Sequence, residues 1–325
     1  MNEKMIHLIA LINAAKQRIQ VPQVYSNKFM AAGNKFLSNT EAIRVDEMLD
    51  HFVVAGIVGR EDVLPLLGKD GFKSIEFTPD IVGGTYAYSA SDLTNIKAGV
   101  PTYTTDGKEI DSIAAMEAKY ARIASASVAN RIERQCADAY LKGTYTDKSG
   151  TTHNVGVTSA ITLAFADKVA SDVVLAKITA YIKKYGVSPK VEAGVTVFNA
   201  VKNEALNAAQ NINGVSFSFV GEIPILTVAG KKIEMLMDAT GTDGNNIDTS
   251  AMLILSDPAT LAVGYGCLVW GDVKSNESKI ARAELVAGEL RVEETTGQKG
   301  IWAKSAPMPI VVNTNKFNRY NCTGL

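Results

Sequence analysis

A chain of 325 residues, 46% hydrophobic and 21% charged, has room for about two domains of ordinary size and the composition of a globular protein. That excludes a wholly disordered chain, a collagen and a disulfide-stapled miniprotein. Its 33 Lys and Arg nearly cancel its 34 Asp and Glu, for a formal net charge of −1, so the basic excess that phosphate-gripping proteins carry is missing.

Residues 3–20 place Met5, Leu8, Ile9, Ile12 and Ile19 near helical spacing, with Asn13, Lys16 and Gln17 opposite. No apolar run reaches the ~20 residues that span a bilayer. Lys16 and Arg18 follow too soon, and no clean small-residue cleavage site appears, so the start reads as an amphipathic helix rather than a secretory signal. A cytoplasmic chain is expected. Pro22 breaks the helical pattern. The stretch to about residue 65 has no strong core periodicity and reads as an arm that lies on another surface.

Residues 68–108 change character. Gly68, Gly71, Gly83, Gly84, Gly99 and Gly107 punctuate short β-prone pieces. The run 74–79 alternates polar and apolar, and 85–89 repeats the β signal. From Ile75 to Asp106 there are four acids, Glu76, Asp80, Asp92 and Asp106, against Lys97 alone. The pattern predicts a long two-stranded ribbon that needs a partner surface, because an isolated hairpin is marginal in water.

The spacing predicts a helix over 111–142, capped by Asp111 and stopped by Gly143. Ile113, Met116, Tyr120, Ile123, Ser127, Val128, Cys136 and Tyr140 track one side. Ala and Ser fill much of the rest, which predicts close packing on more than one face. The rod would be roughly 45 Å long.

A turn-rich link at 142–150 leads into a mixed block. Helices are predicted over 171–185 and 200–210. Strands are predicted at 195–198, 216–220, 223–228, 232–237, 252–255 and 261–265, with a loop at 240–246. Residues 279–325 return to strand signals at 284–286, 289–292, 301–303 and 309–312.

The search for chemistry assigns no catalytic, cofactor-binding or metal-binding residue. His7, His51 and His153 stand alone, in no HExxH or HxH spacing, and no GxSxG elbow occurs. Gly264-Tyr-Gly266 begins like a dinucleotide fingerprint, but Val269 replaces the third glycine and Trp270-Gly271-Asp272 replaces a helix start. That segment reads as a strand with close backbone contacts. Asp238, Asp243, Asn245, Asn246 and Asp248 lack the spacing and closing Glu of a calcium loop. Cys136, Cys267 and Cys322 are far apart and read as reduced thiols. Asn276 and Asn321 match the glycosylation pattern only by chance if the chain is not secreted. Lys183-Lys184 and Lys231-Lys232 read as solvated pairs, with a phosphate-facing patch as the alternative. Segments that cannot bury themselves imply neighbours that bury them, which favours an assembly subunit over an enzyme.

Five pieces carry a resemblance to a known family: Glu76-Phe-Thr-Pro79 followed by Val82, Leu141-Lys-Gly-Thr-Tyr-Thr146, Val195-Thr-Val-Phe198, Gly264-Tyr-Gly266-Cys267 with Asp272, and Ser305-Ala-Pro-Met308 with Asn315-Lys-Phe317. In order and spacing the chain resembles the major capsid proteins of tailed double-stranded DNA phages, of the phage lambda type (capsid E). The resemblance implies an α+β chain with the Hong Kong 97 phage-type capsid fold. Residues 1–67 would be the N-terminal arm and 68–108 an extended loop over the neighbouring subunit. Residues 109–159 and 279–325 would form a peripheral domain with its spine helix at 111–142, and 160–278 an axial domain around five-fold and six-fold axes. Phe77, Tyr86, Tyr88, Leu93, Ile96 and Tyr103 would make the inter-subunit contacts of the loop.

The implied function is a non-enzymatic shell subunit that assembles with itself as hexamers and pentamers around double-stranded DNA, which it touches weakly and non-specifically. The implied setting is the virion, after assembly in the bacterial host cytoplasm. No cofactor and no membrane are expected. The N-terminal residues match the family poorly, and no scaffolding segment precedes the arm, so a separate scaffolding protein or its earlier removal is implied. A portal and a decoration protein complete the implied partners. Maturation would straighten the long helix or swing the ribbon. Deleting residues 75–104 is expected to leave a folded protein that closes no shells. The competing readings are an encapsulin-like nanocompartment, a tail or decoration component, and an α/β enzyme with an unrecognised carboxylate site.

Overall fold

The computed structural model describes residues 22–30, 35–48, 72–89, 112–155, 159–166, 169–209, 215–221, 223–272, 277–293 and 298–325. In chain order these hold α1 (Val24–Met30), β1 (Lys35–Leu37), β2 (Ile43–Met48), β3 (Phe72–Phe77), β4 (Val82–Tyr88) and α2 (Ser112–Leu141). Next come β5 (Thr144–Thr146), β6 (Thr152–Asn154), β7 (Ile161–Ala164), α3 (Ala170–Tyr185), β8 (Lys190–Ala193) and α4 (Val195–Ala209). Then follow β9 (Val215–Val220), β10 (Ile223–Val228), β11 (Lys231–Met235), β12 (Ala239–Thr240), β13 (Asn246–Ile247), β14 (Met252–Ser256) and β15 (Leu261–Tyr265). The chain ends with β16 (Leu268–Asp272), β17 (Glu277–Ala281), β18 (Val286–Glu293), β19 (Gln298–Ser305), β20 (Pro307–Val311) and β21 (Phe317–Thr323).

The largest sheet has seven strands in the order β7-β21-β14-β8-β11-β10-β9. It sits between two cores. On β14, Leu253 and Leu255 face the core built with α3 and α4, while Ile254 faces the core built with α2. On β21, Tyr320 and Cys322 take the first side and Phe317 the second. A strand buried on both faces reads as a continuous apolar run, as Met252-Leu-Ile-Leu255 does. On α3, Val174, Ile178, Tyr181 and Tyr185 recur at helical spacing and are buried.

The long helix runs 30 residues as expected, and Gly143 takes the left-handed conformation, φ 73°, two residues beyond its end. The proposed cap, Asp111, lies outside the described residues. From Gln135 to Leu141 every side chain is buried. The small residues permit this: Ala124 and Val128 meet Ala287 and Ala303 of the three-stranded sheet β18-β19-β4. Further along, Cys136, Ala137, Tyr140 and Leu141 join Tyr25 and Phe29 of α1 and Val263, Tyr265 and Ile310 of the sheet β1-β15-β20.

Four expectations change. Residues 195–198 open a helix instead of forming a strand, with Val197, Phe198 and Val201 buried at helical spacing. The turn into it demands Gly194, where a Cβ would stand 1.8 Å from the Thr249 carbonyl oxygen. The two β pieces at 72–88 do not pair with each other: β3 pairs with β2, and β4 with β19. Each finds a partner distant in sequence, and the rest of the expected ribbon, 90–108, lies outside the described residues. Part of the arm is a core element of its own chain, since Tyr25, Phe29 and Ile43 are all within 2% of complete burial. Finally, β21 lies in the seven-stranded sheet between β14 and β7, not with the strands at 286–305.

Candidate subunit-contact surface

Three surfaces expose apolar side chains in a patterned way. The first is β4 on α2. Tyr86 and Tyr88 share one face of the strand, and both lie against Tyr120, with ring centroids 5.0 and 5.7 Å away at 15° and 23°. Tyr88 donates its hydroxyl hydrogen to Glu117 Oε1 at 2.6 Å and is buried. Burial and that carboxylate together raise its pKa well above the ordinary phenol value. Tyr86 remains 44% exposed.

Phe77 is partly buried against its own main core and pairs across β2 with Ile43. Of the six expected contact residues, then, Tyr86 presents a free face, and Tyr88 and Phe77 are turned inward. Leu93, Ile96 and Tyr103 lie outside the described residues.

The second surface is β9, the last strand of the large sheet. Its residues from Ser216 to Val220 are all exposed, including Phe217, Phe219 and Val220. The expectation had this strand but gave it no role; the available signal was an uncharged six-residue run, Val-Ser-Phe-Ser-Phe-Val. The third is the two-stranded ribbon β16–β17, where the paired Val269 and Ile280 are both exposed.

A buried polar junction ties α1, α2 and β8 together. Glu133 on α2 caps α1: its carboxylate accepts from the backbone N–H of Tyr25 at 2.8 Å, and from the N–H and hydroxyl of Ser26 at 2.8 and 2.6 Å. Those are donors left free at a helix start. Lys28, also on α1, pairs with Glu192 on β8 at 2.8 Å, and its ammonium lies 4.5 Å from the ring centroids of both Tyr25 and Tyr140. Tyr140 donates its hydroxyl to the same carboxylate, and Lys190 reaches it at 3.3 Å. Burial raises the Glu192 pKa, but Lys28 and Lys190 outweigh it and hold the group below the ordinary carboxylate range. Burial also drives Lys28 below the ordinary lysine range, against the pull of Glu192.

The polar clusters elsewhere are structural. His153 contacts Asp147 at 2.9 Å, but Ser149 gives its hydroxyl hydrogen to the same aspartate and not to the imidazole. The acidic loop spreads out: Asp238 holds Thr249, Asp243 holds Asn245 and Asp248 holds Ser250. No group of three metal-ligating side chains occurs among the described residues. No described helix is long and apolar enough to cross a membrane. The three cysteines are free and buried. Gly264 and Gly266 serve close packing: a Cβ on them would stand 2.9 Å from Phe36 and 2.7 Å from the Glu41 carbonyl oxygen.

Residues 8–317 match the family of phage major capsid protein E. The chain belongs to that family. It is accordingly a major capsid protein, a structural subunit of an icosahedral phage shell, and its place is the virion. The architecture of this capsid protein is the Hong Kong 97 phage type, shared with the capsid of cyanophage A-1(L) at a TM-score of 0.50 and 11% identity over 95% of each chain. The mature capsid of bacteriophage PhiM1 aligns at 0.48 and 10%, covering 95% of this chain and 90% of the other. A virus-like particle from Pyrococcus furiosus aligns at 0.44 and 10%, covering 98% of each. No curated protein sequence matches the chain.

Proposed function

We propose that this capsid protein assembles with copies of itself as hexamers and pentamers that close around double-stranded DNA. The observation that carries the reading is the family match over 8–317. In this reading the seven-stranded sheet with α3 and α4 is the axial half, taking residues 160–278 together with β21. The peripheral half is α2 with the sheet β18-β19-β4. Tyr86, with Leu93, Ile96 and Tyr103, contacts the neighbouring subunit.

A chain with net charge −1 offers packaged DNA an indifferent wall, so DNA contact is weak and non-specific. A separate scaffolding protein and a portal direct assembly in the bacterial cytoplasm, and a decoration protein binds the finished shell. Many contacts, each weak, give a stable shell because each further contact within it is effectively intramolecular. The subunit is structural and carries no catalytic step.

Expression of the chain, alone and with its neighbouring gene products, followed by negative-stain electron microscopy and light scattering, tests this. Hollow icosahedral shells, or rings of five and six, are the expected result. A compact monomer that persists in every combination overturns it.

A further inference from the structure

We propose that the open edge of β9 pairs with a strand of a second copy of this chain, so that the large sheet continues across a subunit boundary. The inference rests on the capsid reading and locates one of its contacts.

The edge itself argues for a partner. Among the described residues, strand β9 is hydrogen-bonded on one side only, to β10, in an unbroken register of six pairs from Val215–Val228 to Val220–Ile223. The innermost pair flanks a two-residue turn that begins at Gly221, φ 61°. In such hairpins the flanking residues exchange both backbone hydrogen bonds and the next pair exchanges none. The N–H and C=O groups of Phe219, Phe217 and Val215 therefore point away from β10, along the open edge.

Open edges are normally blunted with charges, prolines, bulges or short length. Four other edge strands follow that rule. Strand β18 carries Glu289, Arg291 and Glu293 and a register shift. Strand β20 carries two prolines and is fully buried. Strand β7 has four residues. Strand β4 contains Gly83 and Gly84 and lies on α2. Strand β9 has no charge, no proline and no bulge, and Phe219 and Val220 are 61% and 65% exposed.

The occupant follows from chemistry and setting. No charge from Val215 to Gly221 repels a like surface or calls for a charged partner. Phe217 and Phe219, in a T-shaped contact at 5.0 Å, offer an apolar ridge beside the free backbone groups, which suits an uncharged strand. In a shell of identical subunits, the surface that meets every subunit at fixed geometry is another copy.

Hydrogen exchange on the wild-type protein, read residue by residue by fragmentation mass spectrometry, tests the pairing. In unassembled subunits the amides of Phe217 and Phe219 are expected to exchange freely, while those of Ser216, Ser218 and Val220 are protected. In shells the first two should slow on the order of a hundredfold. A benzoylphenylalanine photo-crosslinker at position 219 should yield a covalent product of two chains. Phe219→Lys should keep the thermal midpoint of the subunit and lower shell yield about tenfold or more.

Free exchange at Phe217 and Phe219 in intact shells overturns the proposal and leaves the capsid reading standing. So does a photo-product with a different protein only. If the wild-type chain forms no shells with its neighbouring gene products, the capsid reading fails and this contact falls with it.

Discussion

Lys28 and Glu192 are 164 positions apart and meet in the interior, Glu192 beside Tyr140 and Lys190. A buried pair of this kind adds little net stability over an apolar replacement, but losing one member strands the other. Glu192→Gln leaves Lys28 among the rings of Tyr25 and Tyr140 without its carboxylate. The expected loss is about 3 kcal/mol, the low end of the range for broken buried pairs, because the Lys28 side chain keeps 13% exposure. Lys28→Met should cost less, since Lys190 still pairs with Glu192. The double variant Lys28→Met with Glu192→Gln should recover part of the loss, as a double-mutant cycle by urea denaturation will report.

The same carboxylate gives a pH signature. Its folded pKa lies below the ordinary value of 4.5, so the folded state binds its proton less readily than the unfolded chain does. The stabilisation is complete above pH 4.5 and fades as pH falls through the lower, folded value. Glu192→Gln should flatten the acid limb of the stability profile. An unchanged limb would place the acid sensitivity elsewhere.

Elements were legible from sequence where period and burial agree. Helix α3 carries five buried positions, Ala170, Val174, Ile178, Tyr181 and Tyr185, at helical spacing, and α2 announces itself through thirty residues without Gly or Pro. The run Val195-Thr-Val-Phe198 was misleading because β-branched residues favour strands only as far as their surroundings do. Here the backbone turns at Gly194, and Phe198 N–H bonds back to the Gly194 carbonyl. The site was less legible than the fold: Phe77, Tyr86 and Tyr88 look alike as β-strand apolars, and only packing turns two of them inward. That packing changes the outcome expected for removing residues 75–104. The deletion cuts into β3 and takes all of β4, stripping a strand from β19 and the cover from α2. The expected result is a protein that fails to fold cooperatively, seen as loss of a sharp thermal transition, and not a folded subunit that merely fails to assemble.

At the scale of the whole molecule, one sheet serves two cores, and its second strand comes from the end of the chain. Strand β21 pairs on one side with β14 and on the other with β7, and Arg319 donates to the carbonyl oxygen of Leu141, the last residue of α2, at 2.6 Å. Truncating residues 317–325 should therefore release β7, expose Leu253 and Ile254, and give insoluble protein. A soluble truncated subunit with wild-type circular dichroism would contradict this arrangement.

The sequence by itself determined α2, α3, about half of the strands, the balance of charge and the family. The elements and the charge follow from local periodicity and composition, which each segment carries alone, and the family follows from the resemblance of motifs spread along the chain. Only the tertiary structure decided which strands pair, that α1 is a core element, that the strand at 317–323 completes the large sheet, and that β9 is the edge strand of that sheet among the described residues. Register and burial depend on segments far apart in the chain, and no local pattern records which distant partner a strand will find.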